Sequence, residues 1–368
     1  MITIIGAGPI GSHTAYLLSK KCQEVQILEE HETIGKPVQC TGIVTKSIEE
    51  LLPIRKEFLI NRLKKAAIHA PDGNCVEIKL DELVLDRTRF DSYLAEKARK
   101  AGAKIMLKSR ATGITRNKGN EIRIKYSQEG RDKTTNTDVL IGADGPNSIV
   151  SRFIGNEKQQ KSWIGVQAVV DMPVDKNTYS VYFGDDIPGF FGWVVPEDEM
   201  TARVGIATTE NPRQVFQKFM KRFENCKVLN MQGGLIPKYD PHLNLQNGNA
   251  YIVGDAATQV KATTGGGIVP GLKAAECLAR SITQKTSYSF ESKKIQRELK
   301  ISLLLRNILD RFNETDYNRL IEIMDKPEMK KILNEESRDA PSRLLFKSIL
   351  KSPELMLFSK VLFRAKCL

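Results

Sequence analysis

MITIIGAGPIGSHTAYLLSKKCQEVQILEE, residues 1–30, decides how the rest of the chain is read. A β-rich run, Ile2 to Ile5, enters a glycine turn, Gly6-x-Gly8-x-x-Gly11, and Pro9 opens a helical stretch reaching about Lys21. A second apolar run, Val25 to Leu28, ends on Glu29 and Glu30. Gly6 permits the tight turn, Gly8 lets a pyrophosphate approach the backbone, and Gly11 lets the helix pack closely on the strand. The helix start offers unpaired N–H groups and the positive end of its dipole to phosphates. Glu29 lies 18 residues beyond the last glycine, where a carboxylate accepts hydrogen bonds from ribose hydroxyls and disfavours a 2′-phosphate. The expected nucleotide is therefore FAD or NAD rather than NADP.

Composition narrows the class. The chain has 368 residues, 41% hydrophobic and 27% charged, long enough to bury a large core in two or three subdomains. No apolar run reaches the ~18 residues needed to span a bilayer. The glycine motif begins so early that no signal peptide is expected ahead of it. Cys22, Cys40, Cys75, Cys226, Cys277 and Cys367 are scattered with no CxxC pair, which argues against zinc, iron–sulfur and disulfide frameworks and for a reducing cytoplasm. His13, His31, His69 and His242 show no ligand spacing, so no metal is expected, and His13 reads as structural. A net charge of +12 points to an anionic partner, either a phosphate-bearing ligand or a membrane surface. No nucleic-acid reader motif is present, and no nucleic-acid partner is expected.

Further along, residues 31–50 form a Gly/Pro-punctuated loop running into a helix. Residues 66–85 alternate around Pro71-Asp72-Gly73, a β-hairpin pattern. Residues 86–102 form a helix with Phe90, Leu94 and Ala98 on one face and Gly102 as its stop. DVLIGADGPNSIVSR, residues 138–152, is a buried-type strand, a turn at Asp144-Gly145 and a helix start. From about 160 to 207 the period becomes two, as in an antiparallel sheet. Beyond residue 286 the chain is helical and charged.

Residues 250–282 decide between the two nucleotides. A strand ending Val253-Gly254-Asp255 precedes Gly265-Gly266-Gly267 and a helix beginning at Ile268, a second cradle for a long ligand. Asp255 can accept from sugar-alcohol hydroxyls, and the glycines and helix start can approach an anionic ring edge. NAD is too short to need both ends of the chain; FAD is not. GAGPIGSHTA, IGADGPNSIVSR and VGDAA…GGGI together resemble the FAD-binding fold of the para-hydroxybenzoate-hydroxylase/glutathione-reductase type. The resemblance implies an α/β fold: a Rossmann-like FAD-binding domain, an antiparallel β substrate domain and a helical C-terminal region. Residues 1–68, 86–155 and 245–285 are assigned to the first, 69–85 and 156–244 to the second, and 286–368 to the third. Arg87 is expected either on the FAD phosphates or paired with a surface acid, and Asp144 either on FAD or fixing its own turn.

GKPVQCTGIV (35–44) and the run Pro188 to Pro196 resemble the geranylgeranyl reductases, which carry a cysteine–glycine loop beside the flavin and a PxxYxWxFP substrate-domain pattern. Phe191 stands where that family has tyrosine and Val195 where it has phenylalanine. The resemblance implies FAD-dependent reduction of isolated C=C bonds in polyprenyl chains, with archaeal ether-lipid precursors favoured as substrate. It implies catalytic roles for Cys40, Gly42, Phe191 and Trp193, and an external electron donor such as NADH or ferredoxin. An isolated alkene has no carbonyl to polarise, so positioning in a long apolar pocket must carry the rate. Phe190, Phe191, Trp193 and Pro196 suit the walls of such a pocket or, equally, an ordinary sheet core. Cys40 reads either as a flavin-adjacent group or as a small buried hydrophobe. Two other functions share the fold: a flavin monooxygenase, and an electron-transfer flavoprotein acting on a quinone.

Residues 340–368 hold six Lys/Arg, at 343, 347, 351, 360, 364 and 366, against the single acid Glu354. Arg343, Lys347 and Lys351 recur every four residues opposite Leu345 and Ile349, and Lys360 and Arg364 repeat the pattern beside Met356, Leu357, Val361 and Leu362. Two short basic amphipathic helices fit these residues, either packed on the body or lying peripherally on the inner face of the cell membrane.

Overall fold

In the computed structural model the run Ile2–Ile5 is a strand buried along its whole length, inside a six-stranded sheet. The structure describes residues 1–117, 119–156, 160–223 and 226–363, the last without the side chain of Phe363. The chain divides into two units. The first is Met1–Val38, Arg87–Lys161 and Pro237–Lys300; the second is Gln39–Asp86, Ser162–Ile236 and Ile301–Leu368.

The sheet of the first unit runs Gln246–Asn247, Ala250–Ile252, Val139–Gly142, Ile2–Ile5, Val25–Leu28, Lys104–Met106. Every neighbouring pair is parallel except the edge pair of Gln246–Asn247 with Ala250–Ile252. Continuous apolar runs such as ITII and VQIL suit strands covered on both faces. Ile2 lies opposite Val25 and Val139, and Ile5 opposite Leu28 and Gly142, which brings the C-terminal ends of three strands level beside the glycine turn. The helix Pro9–Ser19 packs against the helices Arg87–Lys100 and Ile268–Gln284. An antiparallel meander, Ser109–Arg116, Ile122–Gln128 and Arg131–Thr137, sets Ile122, Ile124 and Tyr126 against Ile5, Leu28, Leu140 and Ile252.

The second unit is built on an eight-stranded sheet in the order Lys227–Pro237, Ser162–Asp171, Thr201–Thr208, Gly192–Pro196, Thr178–Tyr182, Leu59–His69, Cys75–Leu85, Ile43–Thr45. The pair Thr178–Tyr182 with Leu59–His69 is parallel. One face is covered by the helix Pro212–Met220, whose Phe216 and Phe219 pack on Ala168, Val170, Val194, Val204 and Ile206. Residues 39–68, expected with the nucleotide-binding part, fall in this second unit. The reason is strand pairing: Leu59–His69 bonds to Cys75–Leu85 on one side and to Thr178–Tyr182 on the other.

The C-terminal helices from residue 301 onward also belong to this unit rather than forming a third region. They hold the hairpin 59–85 by packing and charge. Ile321 packs with Ala70 and Val76. Asn334 Oδ1 accepts from the Lys79 N–H at 2.7 Å. Arg338 donates through Nε to Glu82 Oε1 at 2.7 Å and through Nη2 to Glu82 Oε2. The Glu82 side chain is only 5% exposed, so removing its partner strands a charge away from water. Arg338→Met should therefore destabilise the protein by about 2–3 kcal/mol, read as a lower urea midpoint. Adding Glu82→Gln should recover part of that loss.

Candidate functional site

In the first unit the glycines stand where backbone meets backbone. Gly6 has φ +98°, and a Cβ there would sit 2.4 Å from the Ala143 carbonyl oxygen. A Cβ on Gly11 would lie 2.0 Å from the Gly6 carbonyl oxygen. Gly8 is different: it precedes Pro9 in extended conformation, and a Cβ would meet no described protein atom within 4 Å. No described residue occupies the space a Gly8 side chain would take, which leaves room for a ligand to approach the backbone there. No described residue accepts from the N–H of Gly8, Ile10 or Gly11, which leaves the helix start free for phosphate.

Glu29, 7% exposed, accepts from the Ala7 N–H at 2.7 Å through Oε2 and from the His31 N–H at 2.9 Å through Oε1. Two oxygens offer about four lone-pair sites, so capacity for ribose hydroxyls remains. His31, half-exposed, also places Nδ1 2.6 Å from Oε1. Glu30, half-exposed, lies 4.0 Å from His31 Nε2 and 3.5 Å from Arg110 Nε. Asp144 accepts from the Ser148 hydroxyl at 2.6 Å and the Ile149 N–H at 2.8 Å, and thereby fixes the turn into the short helix Ile149–Phe153. Arg87 forks onto Asp91 at 3.1 and 2.9 Å.

The return segment lies against the same turn. Gly254, at φ +70°, sits against Ile10, and Gly271 in the helix Ile268–Gln284 meets Ile10 again, each too close to tolerate a comfortable side chain. Gly265 also has φ +70°, and a Cβ on Gly267 would fall 2.9 Å from Asp255 Oδ1. No described residue accepts from the Ile268 or Val269 N–H. The Asp255 carboxylate has no hydrogen-bond donor among the described residues, and burial pushes its pKa up although the Arg87 charge opposes the shift. A desolvated acceptor beside two helix starts and two glycine approaches fits a long dinucleotide bearing sugar hydroxyls. His13, in the first helix, is buried with both ring nitrogens unpartnered, and burial, helped by the Lys97 charge, lowers it to about 4. It is neutral at physiological pH and is part of the packing.

In the second unit, Cys40, Gly42, Phe191 and Trp193 are drawn together on one side of the eight-stranded sheet. Gln167 Oε1 accepts from the Thr41 hydroxyl at 2.8 Å and from the Trp193 indole N–H at 3.2 Å. Arg203, 5% exposed, donates to the Thr41 carbonyl at 2.5 Å and to Glu197 at 2.5 Å. Gly42 has φ +77° and a Cβ there would strike the Leu85 carbonyl oxygen at 2.5 Å, a packing reason of its own for glycine. The Cys40 thiol is free and half-buried, and its sulfur accepts from the Gly42 N–H at 3.3 Å.

Phe191 stacks on Phe190 with centroids 4.3 Å apart and meets Trp193 edge-on at 6.2 Å. Trp163, Phe183 and Tyr317 extend this aromatic group, and Pro196 is buried at the end of the Trp193 strand. Gln167 and Arg203 were not singled out from the sequence. Each is a buried polar residue in a mainly apolar strand, and that mismatch was the available signal.

Residues 1–223 match the family described as FAD binding domain. The digeranylgeranylglycerophospholipid reductase of Methanococcus vannielii is 29% identical over 98% of this chain and 97% of its own. That of Methanosarcina acetivorans is 31% identical over 74% of this chain and 72% of its own. A geranylgeranyl bacteriochlorophyll reductase-like protein from Thermoplasma acidophilum has the same fold, with TM-score 0.85 over 98% of each chain at 22% identity. The p-nitrophenol 4-monooxygenase of Pseudomonas putida shares it at TM-score 0.67, covering 99% of this chain and 98% of its own at 15% identity. Fold and glycine cradles together define a flavoprotein whose cofactor is FAD. The chain belongs to the geranylgeranyl reductase family of FAD-dependent oxidoreductases, among its digeranylgeranylglycerophospholipid reductase-like members.

The glycines separate packing from ligand contact in a testable way. Gly11→Ala should fail to fold or lose more than about 2 kcal/mol of stability, whereas Gly8→Ala should purify with little yellow colour yet melt at the temperature of the wild-type apoprotein.

Asp255 gives a second test. A carboxylate whose folded pKa is raised above its unfolded value near 4 destabilises the apoprotein as pH rises through that window, and the penalty persists at neutral pH. Asp255→Asn should then raise the melting temperature of the apoprotein at pH 7 while weakening FAD retention, each lost charge-assisted bond costing roughly 1.5–3 kcal/mol. An unchanged FAD dissociation constant would remove Asp255 from the cofactor site.

Proposed function

We infer that this chain is an FAD-dependent reductase of the isolated C=C bonds in geranylgeranyl chains, acting on precursors of archaeal membrane ether lipids. The observation that carries the reading is a match of 29% identity along nearly the whole length of a digeranylgeranylglycerophospholipid reductase. The fold alone would not carry it, since a monooxygenase shares that fold.

Bound FAD supplies the reducing equivalents for such a reaction. The chain's own part is to hold the nucleotide on the two glycine cradles and to offer the prenyl chain an apolar wall. Phe190, Phe191 and Trp193 provide flat hydrocarbon-compatible surface, and the Trp193 N–H is already satisfied by Gln167, so no polar group is stranded against a hydrocarbon. Cys40 acts in the reduction step rather than in nucleotide retention, held by the Thr41 and Gly42 contacts of its loop. Electrons come from an external donor such as NADH or ferredoxin. The lipid is met at the inner face of the cell membrane by peripheral contact, in keeping with the absence, among the described residues, of any helix long and apolar enough to cross one.

The deciding experiment is anaerobic. Photoreduced protein mixed with geranylgeranylated lipid should reoxidise its flavin and yield saturated product by mass; reoxidation that requires oxygen and gives hydroxylated product would mean a monooxygenase. Cys40→Ala should keep FAD but lose most single-turnover reduction, and wild-type rates in that variant would return Cys40 to packing.

A further inference from the structure

The end of the chain carries a surface that the site residues do not explain. In the helix Pro341–Lys351, Pro341 and Ser348 are buried and Leu344 packs into a cluster with Ile323, Met329, Ile332 and Phe358. This stripe faces the body. The opposite side departs from the expected segregation of charge and hydrocarbon, because Phe346 and Leu350 are 65% and 63% exposed and stand among Arg343, Lys347 and Lys351. Leu345 and Ile349 are half-buried, in line with the alternative in which these helices pack on the body. After Ser352 the pattern continues: Phe358 and Val361 turn inward, while Met356 and Leu357 are 59% and 42% exposed near the exposed Lys360. Arg364 and Lys366 lie outside the described residues.

Four large apolar side chains left in water, Phe346 and Leu350 one helical turn apart on the first helix and Met356 and Leu357 adjacent on the segment after it, are costly unless something covers them. The charge says what. Residues 340–363 hold four basic residues and one acid, and that acid, Glu354, is taken by Lys326. Glu336 pairs with Lys347 and stands 4.0 Å from Arg343, but Lys351 and Lys360 have no acidic partner among the described residues. A second copy of the chain seated symmetrically on this face would set like charges against like charges. A bilayer with anionic headgroups offers opposite charge at its surface and hydrocarbon beneath it, the two things this mixed face lacks.

We propose that the outward face formed by Phe346, Leu350, Met356 and Leu357 with Arg343, Lys347, Lys351 and Lys360 is the surface by which the enzyme docks on an anionic lipid bilayer. This rests on the reading that its substrate is a membrane lipid, and it names the side chains that make the contact. The apolar side chains enter the headgroup region and the cations hold the phosphates.

The test uses the full-length, FAD-loaded protein and vesicles of phosphatidylcholine alone or mixed in equal parts with phosphatidylglycerol. The intact protein should sediment with the mixed vesicles, far less with phosphatidylcholine, and less at high salt. Phe346→Ser/Leu350→Ser/Leu357→Ser, all at exposed positions, should stay yellow and folded yet partition about tenfold less. Lys351→Gln/Lys360→Gln should lose several-fold, and only on the mixed vesicles. Equal partitioning of the serine variant, or an intact protein that ignores both vesicles, would overturn the proposal. So would a dimer in equilibrium sedimentation that the serine variant dissociates without any vesicle binding, since the occupant would then be a second copy.

Turnover separates this idea from the one beneath it. The serine variant should reduce detergent-dispersed substrate at the normal rate and vesicle-embedded substrate slowly; equal slowing in both would count against docking. Failure of the intact protein to reduce either form would sink the reductase reading alone, with sedimentation still deciding the surface.

Discussion

At Gly11 the helix lies so close to the Gly6 carbonyl that a single methyl group would fall 2.0 Å from its oxygen. Much of the nucleotide-binding architecture depends on that contact. It lets the helix Pro9–Ser19 lie directly on the end of the strand Ile2–Ile5, so the N–H groups of its first turn open onto the level ends of the neighbouring parallel strands. Ile10, carried by the same helix, then becomes the surface on which Gly254 and Gly271 settle, and this brings a segment 240 residues distant in sequence to the same turn. Adding one carbon at Gly11 would lift the helix and undo both consequences.

Charge is handled by the same logic of withheld partners. Asp255 has no donor among the described residues and Asp144 has several, and burial pushes both pKa values up. The two acids therefore do different things. Asp144 is satisfied by a hydroxyl and backbone N–H groups and serves the fold, whereas the Asp255 carboxylate, with no donor among the described residues, keeps its capacity to accept.

In the second unit the organising groups are polar residues hidden in apolar strands. Gln167 and Arg203 fasten the loop around Thr41 to the face that carries Trp193, and the same glutamine consumes the indole N–H. A buried polar network fully satisfied in this way fixes one arrangement of a loop that would otherwise move. Phe191 makes its contacts through ring stacking on Phe190.

The sequence by itself determined the nucleotide-binding core, its cofactor and its family. Glycine spacing, the acid after the second strand and the glycine-rich return are local patterns readable without coordinates, because the signal lies in their spacing along the chain, although the partners that crowd Gly6, Gly254 and Gly271 are distant in sequence. The hairpin about Pro71-Asp72-Gly73 was legible for the same reason. Tertiary structure alone decided the rest. Residues 39–68 join the eight-stranded sheet because Leu59–His69 finds its second partner more than a hundred residues away, and a strand's propensity says nothing of whom it will pair with. The role of Gln167 depends on a loop more than 120 residues earlier in the chain. On the last helices, helical periodicity gave the amphipathic stripe but not its orientation; packing against Ile323 and Met329 chose Leu344 and Ser348 as the inward side and left Phe346 and Leu350 facing out among the lysines.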